Sequence, residues 1–260
     1  IWVGTQNGLA KFNAETNNFT RYLPSSGAAN QRIIKSIVSD GKSGFWIATW
    51  GGLQHFDPLQ SRFTLYVHDA ARADSLATND LNAIAVDERG GVWAGTWPAG
   101  IDYLAPGSIS FRHFRIDNAD QPDSKLNIVR STYLDAQGML WIGTENGIVL
   151  WHTATDWSTR RRVDTPASRV NHIYADRHGV VWAATLSAGL LRWDASTKKF
   201  KQFVKQAIDP YSLPSDDVRA VLHDRGGMLW IATLTDGIAI TNLNSKGFQR
   251  IIPFDADAQK

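Results

Sequence analysis

Five polar residues recur at one position of a repeated pattern and could bind a ligand together. Each lies five residues before an aspartate, and three are cationic while two are amides: Lys35, Asn82, Arg130, Asn171 and Arg219. Arginine offers paired hydrogen bonds to a carboxylate or a sulfate, whereas asparagine both donates and accepts. If the five side chains converge, they suit an anion or a hydroxyl-rich ligand. The alternative is a water-filled space surrounded by solvated side chains.

Two tryptophans interrupt the same repeat. Trp50 and Trp97 each directly follow a threonine. The other copies of the repeat have Gln6, Glu145, Leu186 and Leu234 at this position. An exposed tryptophan face stacks on the apolar face of a sugar ring or on a nucleobase. We therefore predict that Trp50 and Trp97 contact a ligand, and the alternative is that both rings cover loop backbone.

Three further residues are candidate ligand contacts, and none of them indicates a metal. His172 follows Asn171 in a predicted strand, whereas the other histidines share no spacing and no His–Glu cluster occurs. Glu145 and Asp236 lie on loops of different repeats and could act as a general acid and a general base. No third group supports that pairing, so we interpret both as hydrogen-bonding loop residues. The sequence predicts no metal, no cofactor and no catalytic residue.

The elements that must position these residues are repeats marked by tryptophan. Six tryptophans recur at spacings of 44, 47, 48, 41 and 48 residues: Trp2, Trp46, Trp93, Trp141, Trp182 and Trp230. A threonine follows each of them by three residues and a glycine by six or seven, and an Asp-x-x-Gly turn precedes most of them. We interpret these types as architecture: tryptophan fills the gap between sheets, threonine bonds locally, and glycine takes an unusual backbone angle. Trp151, Trp157 and Trp193 are also predicted to pack between sheets.

Each repeat is predicted to form four short strands. In the second repeat these are an inner strand at 33–38, the tryptophan strand at 45–49, a third strand at 52–56 and an outer strand at 62–66. Such a period with four strands predicts an all-β fold, a β-propeller of four-stranded blades. About six repeats are present, and the first lacks its inner strand. We expect residues 1–260 to form a single propeller domain, an excerpt of a longer protein, whose unpaired edge invites association such as dimerisation.

Composition limits the classes of function. With 27 basic and 25 acidic residues the net charge is +2 and no long basic run occurs, so nucleic acid is not a predicted partner. No apolar stretch approaches the ~20 residues that span a bilayer, so any membrane attachment would come from segments outside this sequence. The absence of cysteine excludes disulfides, thiolate metal sites and cysteine nucleophiles.

The repeat resembles a known family. Residues 135–147, DAQGMLWIGTENG, and the Phe56-Asp57 pair near the end of a third strand are similar to the two-component regulator propeller repeat. The Ser-Leu pairs at 75–76 and 212–213 look similar to the same family, and the resemblance covers essentially the whole chain. It implies a periplasmic sensor region, attached through a membrane helix to a histidine kinase or a diguanylate cyclase. Many relatives sense oligosaccharides.

Three functions from different classes stay open at this stage. The leading hypothesis is a non-enzymatic sensor module that binds an oligosaccharide at the mouth of the propeller channel and signals to an attached output domain. The second is a propeller lyase acting on a polysaccharide or a cyclic peptide, with His172 or Glu145 as base and the arginines stabilising negative charge. The third is a protein-interaction scaffold that uses edge strands or a side face.

Overall fold

The computed structural model describes residues 1–24, 27–117, 123–153, 159–166, 169–242 and 247–251. Strands dominate these ranges, within which the one helical element is the 3-10 turn Ala29–Arg32. The chain divides into two compact units, Ile1–Gly138 and Met139–Lys260. In every described pairing, neighbouring strands are antiparallel and follow one another in the sequence. Hairpin after hairpin is the expected result of short alternating strands that are separated by glycine-containing turns.

The first unit contains three sheets and one further strand. The first sheet consists of β1 (Trp2–Thr5), β2 (Gly8–Asn13) and β3 (Asn18–Tyr22). The second consists of β4 (Ile34–Ser39), β5 (Phe45–Thr49), β6 (Gly52–Asp57) and β7 (Arg62–Tyr66). The third consists of β8 (Leu81–Val86), β9 (Val92–Thr96), β10 (Ile101–Leu104) and β11 (Phe111–Phe114). The last strand of the unit is β12 (Val129–Leu134), the inner strand of the fourth sheet.

The second unit begins with the other strands of the fourth sheet. These are β13 (Met139–Thr144), β14 (Gly147–His152) and β15 (Arg160–Val163). The fifth sheet consists of β16 (Val170–Ala175), β17 (Val181–Thr185), β18 (Leu190–Asp194) and β19 (Lys199–Phe203). The sixth consists of β20 (Val218–His223), β21 (Met228–Thr233), β22 (Ile238–Asn242) and β23 (Gln249–Ile251).

This arrangement confirms the predicted fold class, an all-β propeller of four-stranded blades. Of the strands predicted for the second repeat, β5 and β7 have the predicted bounds, β4 lies one residue later, and β6 is one residue longer. Among the described residues, the first blade has three strands, and β1 occupies the edge of its sheet. Within these ranges the blade shows no inner strand, as the sequence predicts.

The repeated threonine and glycine build the same turn in all six blades. The threonine Oγ1 donates a hydrogen bond of 2.7–2.9 Å to the glycine carbonyl. The pairs are Thr5 with Gly8, Thr49 with Gly52, Thr96 with Gly100, Thr144 with Gly147, Thr185 with Gly189 and Thr233 with Gly237. These glycines have φ between +71° and +116°, where a side chain is rarely tolerated. The turn fixes where each loop after a tryptophan strand begins.

The aspartate of the Asp-x-x-Gly turn ties the turn to the tryptophan of the next strand. In the fifth blade, Oδ2 of Asp176 accepts a 3.1 Å hydrogen bond from Nε1 of Trp182. In the sixth, Asp224 accepts a 2.7 Å bond from Trp230. The second oxygen of each aspartate accepts backbone N–H groups of its own turn. A buried indole N–H is thereby satisfied, which the ring needs in order to pack between blades.

Tryptophans fill the space between blades within each unit. In the first unit, the ring of Trp2 lies 5.1 Å from that of Phe45 and 5.7 Å from that of Phe56, both in the second blade. In the second unit, Trp141 contacts Trp193 of the following blade edge-on at 5.3 Å. The interpretation of the repeat tryptophans as architecture is confirmed for these contacts.

Of the extra tryptophans of the second unit, Trp193 packs between blades as predicted. Trp193 is one of the inter-blade contacts just given, and Trp151 is fully buried in β14. Trp157 lies outside the described residues.

Replacing Thr96 with valine is expected to lower the free energy of unfolding by about 1–2 kcal/mol, because Thr96 is fully buried and its loss leaves the Gly100 carbonyl without that donor. Thr5 makes the same bond at an exposed turn, where water can replace the hydroxyl. Thr5→Val is therefore the matched control and should cost less. Urea denaturation of both variants measures the difference, and equal losses would contradict the role given to burial.

Candidate functional site

The predicted polar position lies at a β-bulge in each of the four inner strands whose pairing register is described. In β4, Ile34 pairs with Thr49 and Ser36 with Ala48, so Lys35 is an extra residue without a cross-strand partner. The same register shift occurs at Asn82, Asn171 and Arg219. A bulge bends the strand and turns its extra side chain away from the regular alternation. This explains why a polar residue recurs in strands that are otherwise largely apolar.

Loops that follow the tryptophan strands lie against the segments that lead into the inner strands. In four blades, the residue after the repeat threonine donates its backbone N–H to the carbonyl two residues before the polar position. The bonds run from Trp50 to Ile33 (3.4 Å), Trp97 to Asp80 (2.9 Å), Leu186 to Arg169 (3.0 Å) and Leu234 to Asp217 (2.9 Å). This repeated contact anchors the backbone of Trp50 and Trp97 beside the inner strands. The two tryptophans thus occupy a standard loop position that carries leucine in the fifth and sixth blades.

Both extra tryptophans hold a cation from the predicted polar position in the first unit. Nζ of Lys35 lies 5.0 Å from the ring centroid of Trp50. Cζ of Arg130 lies 4.8 Å from the ring centroid of Trp97. These are cation–π distances, and the residues Trp50 and Trp97 remain 43% and 41% exposed, respectively. Residues that the sequence singled out for two separate reasons are therefore in direct contact.

Asn82 lies between these two pairs in the order of the inner strands. Strand β8 packs against β4 on one side and β12 on the other. Nδ2 of Asn82 donates a 3.0 Å hydrogen bond to the carbonyl of Val129, directly before Arg130. Burial lowers the pKa of Lys35 below its ordinary value, and the positive charge of Arg130 lowers it further.

An open cavity of about 400 Å³ adjoins this group of residues. Its walls include Thr5 and Gln6 from the first blade and Lys35 and Trp50 from the second. Gln6 occupies the loop position that holds tryptophan in the next two blades. The cavity lies within the size range of small-molecule sites and combines an aromatic face with polar groups.

In the second unit, an arginine that the sequence did not single out connects two predicted residues. Nε of Arg169 donates a 3.1 Å hydrogen bond to Oδ1 of Asn171 and lies 3.6 Å from Oε1 of Glu145. The amide of Asn171 donates to the carbonyl of Val218 at 2.8 Å, as Asn82 does to Val129. The position of Arg169 holds isoleucine or aspartate in the other repeats, so no recurring residue type marked it.

Two of the remaining candidates, His172 and Asp236, have partners within their own unit. Nδ1 of His172 accepts a 3.4 Å hydrogen bond from the N–H of Val221, and burial lowers the pKa of the ring below its ordinary value. Asp236 lies 3.5 Å from an Nη of Arg250. In the part of the chain that the structure describes, Nε of Arg219 is buried without a hydrogen-bond acceptor. These contacts place His172 against β20, whereas Asp236 is held by the outer strand.

Two classes of feature are absent from the described ranges. No group of three or more His, Asp or Glu side chains there could hold a metal ion. No helix there is long and apolar enough to cross a bilayer.

Residues 124–146 match the family model described as Two component regulator propeller. The matched segment contains Arg130 and the first half of the fourth blade. The match confirms the resemblance that the tryptophan repeat indicated. No curated protein matches the chain.

Solved structures share the propeller fold. The extracellular domain of a hybrid two component system from B. thetaiotaomicron has a TM-score of 0.77 and 24% identity over 98% of this chain and 33% of its own. PorZ, a surface component of the type-IX secretion system of Porphyromonas gingivalis, has a TM-score of 0.69 and 19% identity over 93% and 37%. Streptogramin B lyase has a TM-score of 0.61 and 13% identity over 84% and 68%. The chain spans about a third of the length of the first two.

Proposed function

We propose that the chain is the ligand-sensing segment of an extracytoplasmic signal-transduction protein and binds an oligosaccharide in its first unit. The binding residues are Lys35, Trp50, Asn82, Trp97 and Arg130, which we call the tryptophan–cation cluster. The observation that carries the proposal is the pairing of two half-exposed tryptophans with cations from the inner strands. Architecture alone does not require these rings, because leucine occupies the same loop position in the fifth and sixth blades.

The chemistry of the cluster suits a sugar. A pyranose ring presents an apolar face of C–H groups and a rim of hydroxyls. Exposed indole faces pack against the first, and charged or amide side chains bond the second. Asn82 uses Nδ2 for the bond to Val129, so its orientation is fixed before a ligand arrives. A fixed set of groups loses less conformational entropy on binding.

The proposed setting is the periplasm, as part of a longer protein that ends in a histidine kinase or a diguanylate cyclase. Support comes from the repeat at residues 124–146 and from the fold shared with the extracellular domain of a hybrid two component system. That chain is itself an extracellular domain and is about three times the length spanned here, so the proposed segment would be one part of a longer extracellular region. We propose binding without catalysis, because Glu145 and Asp236 each lie against an arginine.

Replacing Trp50 or Trp97 with alanine is expected to weaken oligosaccharide binding by about tenfold, since each change removes one stacking face. Calorimetric titration of the 260-residue chain with neutral and acidic oligosaccharides measures the affinity. Phe19→Ala removes an exposed aromatic ring from β3 and serves as the control.

Unchanged affinity in both tryptophan variants would contradict the proposed site. Absence of binding across the whole panel would favour the protein-interaction hypothesis instead.

A further inference from the structure

The fifth blade has an open cavity of about 480 Å³ that the proposed sensing site does not use. Its walls come from the turn between β16 and β17, from the end of β18 with the turn that follows, and from Lys201 in β19. Because β17 and β18 are antiparallel, both turns lie at the end of the blade opposite the loop that joins these two strands. The cavity is therefore separate from the loop position that holds Trp50 and Trp97 in other blades.

Two cations of this cavity lie directly opposite each other on neighbouring strands. Arg192 and Lys201 are Cα partners in the antiparallel register of β18 and β19. Their side chains therefore leave the same face of the sheet, where like charges destabilise each other. Both are exposed, and among the residues that the structure describes neither forms an ion pair or a side-chain hydrogen bond. The corresponding pairs of the other blades contain at most one lysine or arginine: Lys11–Thr20, His55–Thr64, Tyr103–Arg112, Leu150–Arg161 and Ile240–Gln249.

The turn aspartate of the fifth blade does not neutralise Arg192. In two other blades the side chain at the position of Arg192 bonds this aspartate: His55 to Asp40 at 2.9 Å and Tyr103 to Asp87 at 3.3 Å. In the fifth blade, Oδ2 of Asp176 accepts the indole N–H of Trp182, and Oδ1 accepts two backbone N–H groups of the turn. Both oxygens of Asp176 are thus occupied by other donors.

Aromatic rings position both cations. Cζ of Arg192 lies 5.7 Å from the ring centroid of Trp182, and Nζ of Lys201 lies 5.2 Å from that of Phe203. The two ring centroids are 6.1 Å apart, and Trp182 is buried. The cations are therefore held over one pair of adjacent rings before a ligand arrives, which reduces the conformational entropy lost on binding.

One carboxylate lies in the same wall, but its own turn stabilises it. Oδ1 of Asp194 accepts the hydroxyl of Ser196 at 2.6 Å and the backbone N–H groups of Ser196 and Thr197. These hydrogen bonds lower the pKa of Asp194 to about 2. Asp57 accepts two backbone N–H groups in the equivalent turn of the second blade, so this residue is part of the turn architecture. Asp194 therefore needs neither cation as a partner.

We propose that this cavity is a second ligand site, which binds a phosphate group through Arg192 and Lys201, either as the free ion or as a monoester of a small molecule. Two cations match a group that carries up to two negative charges near neutral pH. The guanidinium of Arg192 supplies a planar fork for two oxygens, and Lys201 supplies a compact charge for a third. The cavity lies in the size range of small-molecule sites, so it also has room for the remainder of a monoester. The inference does not rest on the proposed sensing function.

The test compares three small probes: inorganic phosphate, glycerol 3-phosphate and glycerol. Calorimetric titration of the 260-residue chain at about pH 8, where a phosphate monoester is doubly charged, measures the affinities. We expect saturable binding of a phosphate probe, no binding of glycerol, and an affinity that falls as the salt concentration rises. Tighter binding of glycerol 3-phosphate would identify a monoester as the ligand, and binding of inorganic phosphate at least as tightly would identify the free ion.

Substitution identifies the residues responsible. Arg192→Gln and Lys201→Gln should each weaken binding of the phosphate probe by about tenfold. The matched control is Lys11→Gln, which removes the same charge from the same position of the first repeat. Nζ of Lys11 lies 5.6 Å from the ring centroid of Trp2, but Lys11 faces Thr20 instead of a second cation. Its loss should leave the affinity unchanged, and thermal unfolding of the three variants separates loss of binding from loss of fold.

Three results would overturn the inference. The first is the absence of binding by both phosphate probes. The second is an equal loss of affinity in Lys11→Gln and Arg192→Gln, which would show an effect of net charge alone. The third is binding of a hexaglutamate peptide but of neither phosphate probe, which would assign this surface to an acidic protein segment.

Discussion

Replacing His113 with alanine is expected to lower the free energy of unfolding by about 3 kcal/mol, because it leaves the carboxylate of Asp102 buried without its charged partner. Asp102 is fully buried in β10, and its Oδ1 lies 2.7 Å from Nδ1 of His113 in β11. Oδ2 accepts the N–H of Ala77 at 2.8 Å, so the same carboxylate holds the loop that leads into β8. Urea denaturation followed by tryptophan fluorescence measures the change.

The same pair predicts a pH dependence. Partial burial lowers the pKa of His113, but the Asp102 carboxylate at Nδ1 and the Ala73 carbonyl 3.0 Å from Nε2 raise it by more, so the pKa lies above the ordinary value of 6.5. Both ring nitrogens face acceptors, and only the protonated ring can donate to both. Since the folded pKa is raised, the stabilisation is fully present below pH 6.5 and is lost as pH rises through the folded pKa.

The nearby charges set which variants serve as controls. Asp74, which raises the pKa of His113, also accepts hydrogen bonds from Arg72 and Ser110, and the charge of His68 lowers the pKa of Asp102.

His113→Gln should flatten the pH dependence of the unfolding free energy above pH 6.5. His55→Ala removes a similar partner from Asp40, which is partly exposed, and should cost about 1 kcal/mol. Equal losses in His55→Ala and His113→Ala, or a pH profile unchanged in His113→Gln, would contradict this account.

Replacing Gly100 with alanine is expected to cost about 3 kcal/mol. Its φ is +98°, outside the range that alanine adopts without strain, and an added Cβ would overlap the carbonyl oxygen of Phe114. Strands β9 and β10 must separate from β11 to make room, so the effect combines backbone strain with a lost strand contact. Chemical denaturation gives the change in the free energy of unfolding.

Gly90 provides the matched control in the same blade. Its φ is +87°, but an added Cβ would meet no atom within 4 Å. Gly90→Ala should therefore lower the free energy of unfolding only by the backbone strain of alanine at positive φ, about 1 kcal/mol. If Gly100→Ala and Gly90→Ala lowered the free energy of unfolding equally, the close packing of Gly100 against Phe114 would not contribute to stability, and this account would be contradicted.

Much of the fold follows from the sequence because each repeat restates the same constraints. The tryptophan, the threonine and the glycine with positive φ mark the same strand and the same turn in each of the six repeats. A chance match at one position therefore has little effect on the predicted strand bounds. Prediction of β5 and β7 to the residue reflects this redundancy. The one-residue displacement of β4 has a physical cause, since the bulge at Lys35 adds a residue that a regular alternation does not anticipate.

The candidate site was only partly predictable. Alignment of the repeats identified Lys35 and Arg130, and the break in the repeat identified Trp50 and Trp97. The cation–π pairs were not predictable, because each joins an inner-strand residue to a loop residue and, for Arg130 and Trp97, the two lie in separate blades. The use of the Asn82 amide between inner strands likewise depends on the bulge geometry. Arg169 has no counterpart in the other repeats and could be recognised only from its contacts with Asn171 and Glu145.

The most direct test of the account is an NMR titration of the indole N–H signals of the 260-residue chain, which has 11 tryptophans. The signals of Trp50 and Trp97 are assigned with Trp50→Phe and Trp97→Phe variants, and the oligosaccharide of highest affinity in the calorimetric panel is the probe. We predict saturable shifts for these two signals, with those of the buried Trp93 and Trp151 unmoved. Saturation of the probe without a shift at Trp50 or Trp97 would contradict the claim that the tryptophan–cation cluster is the sensing site.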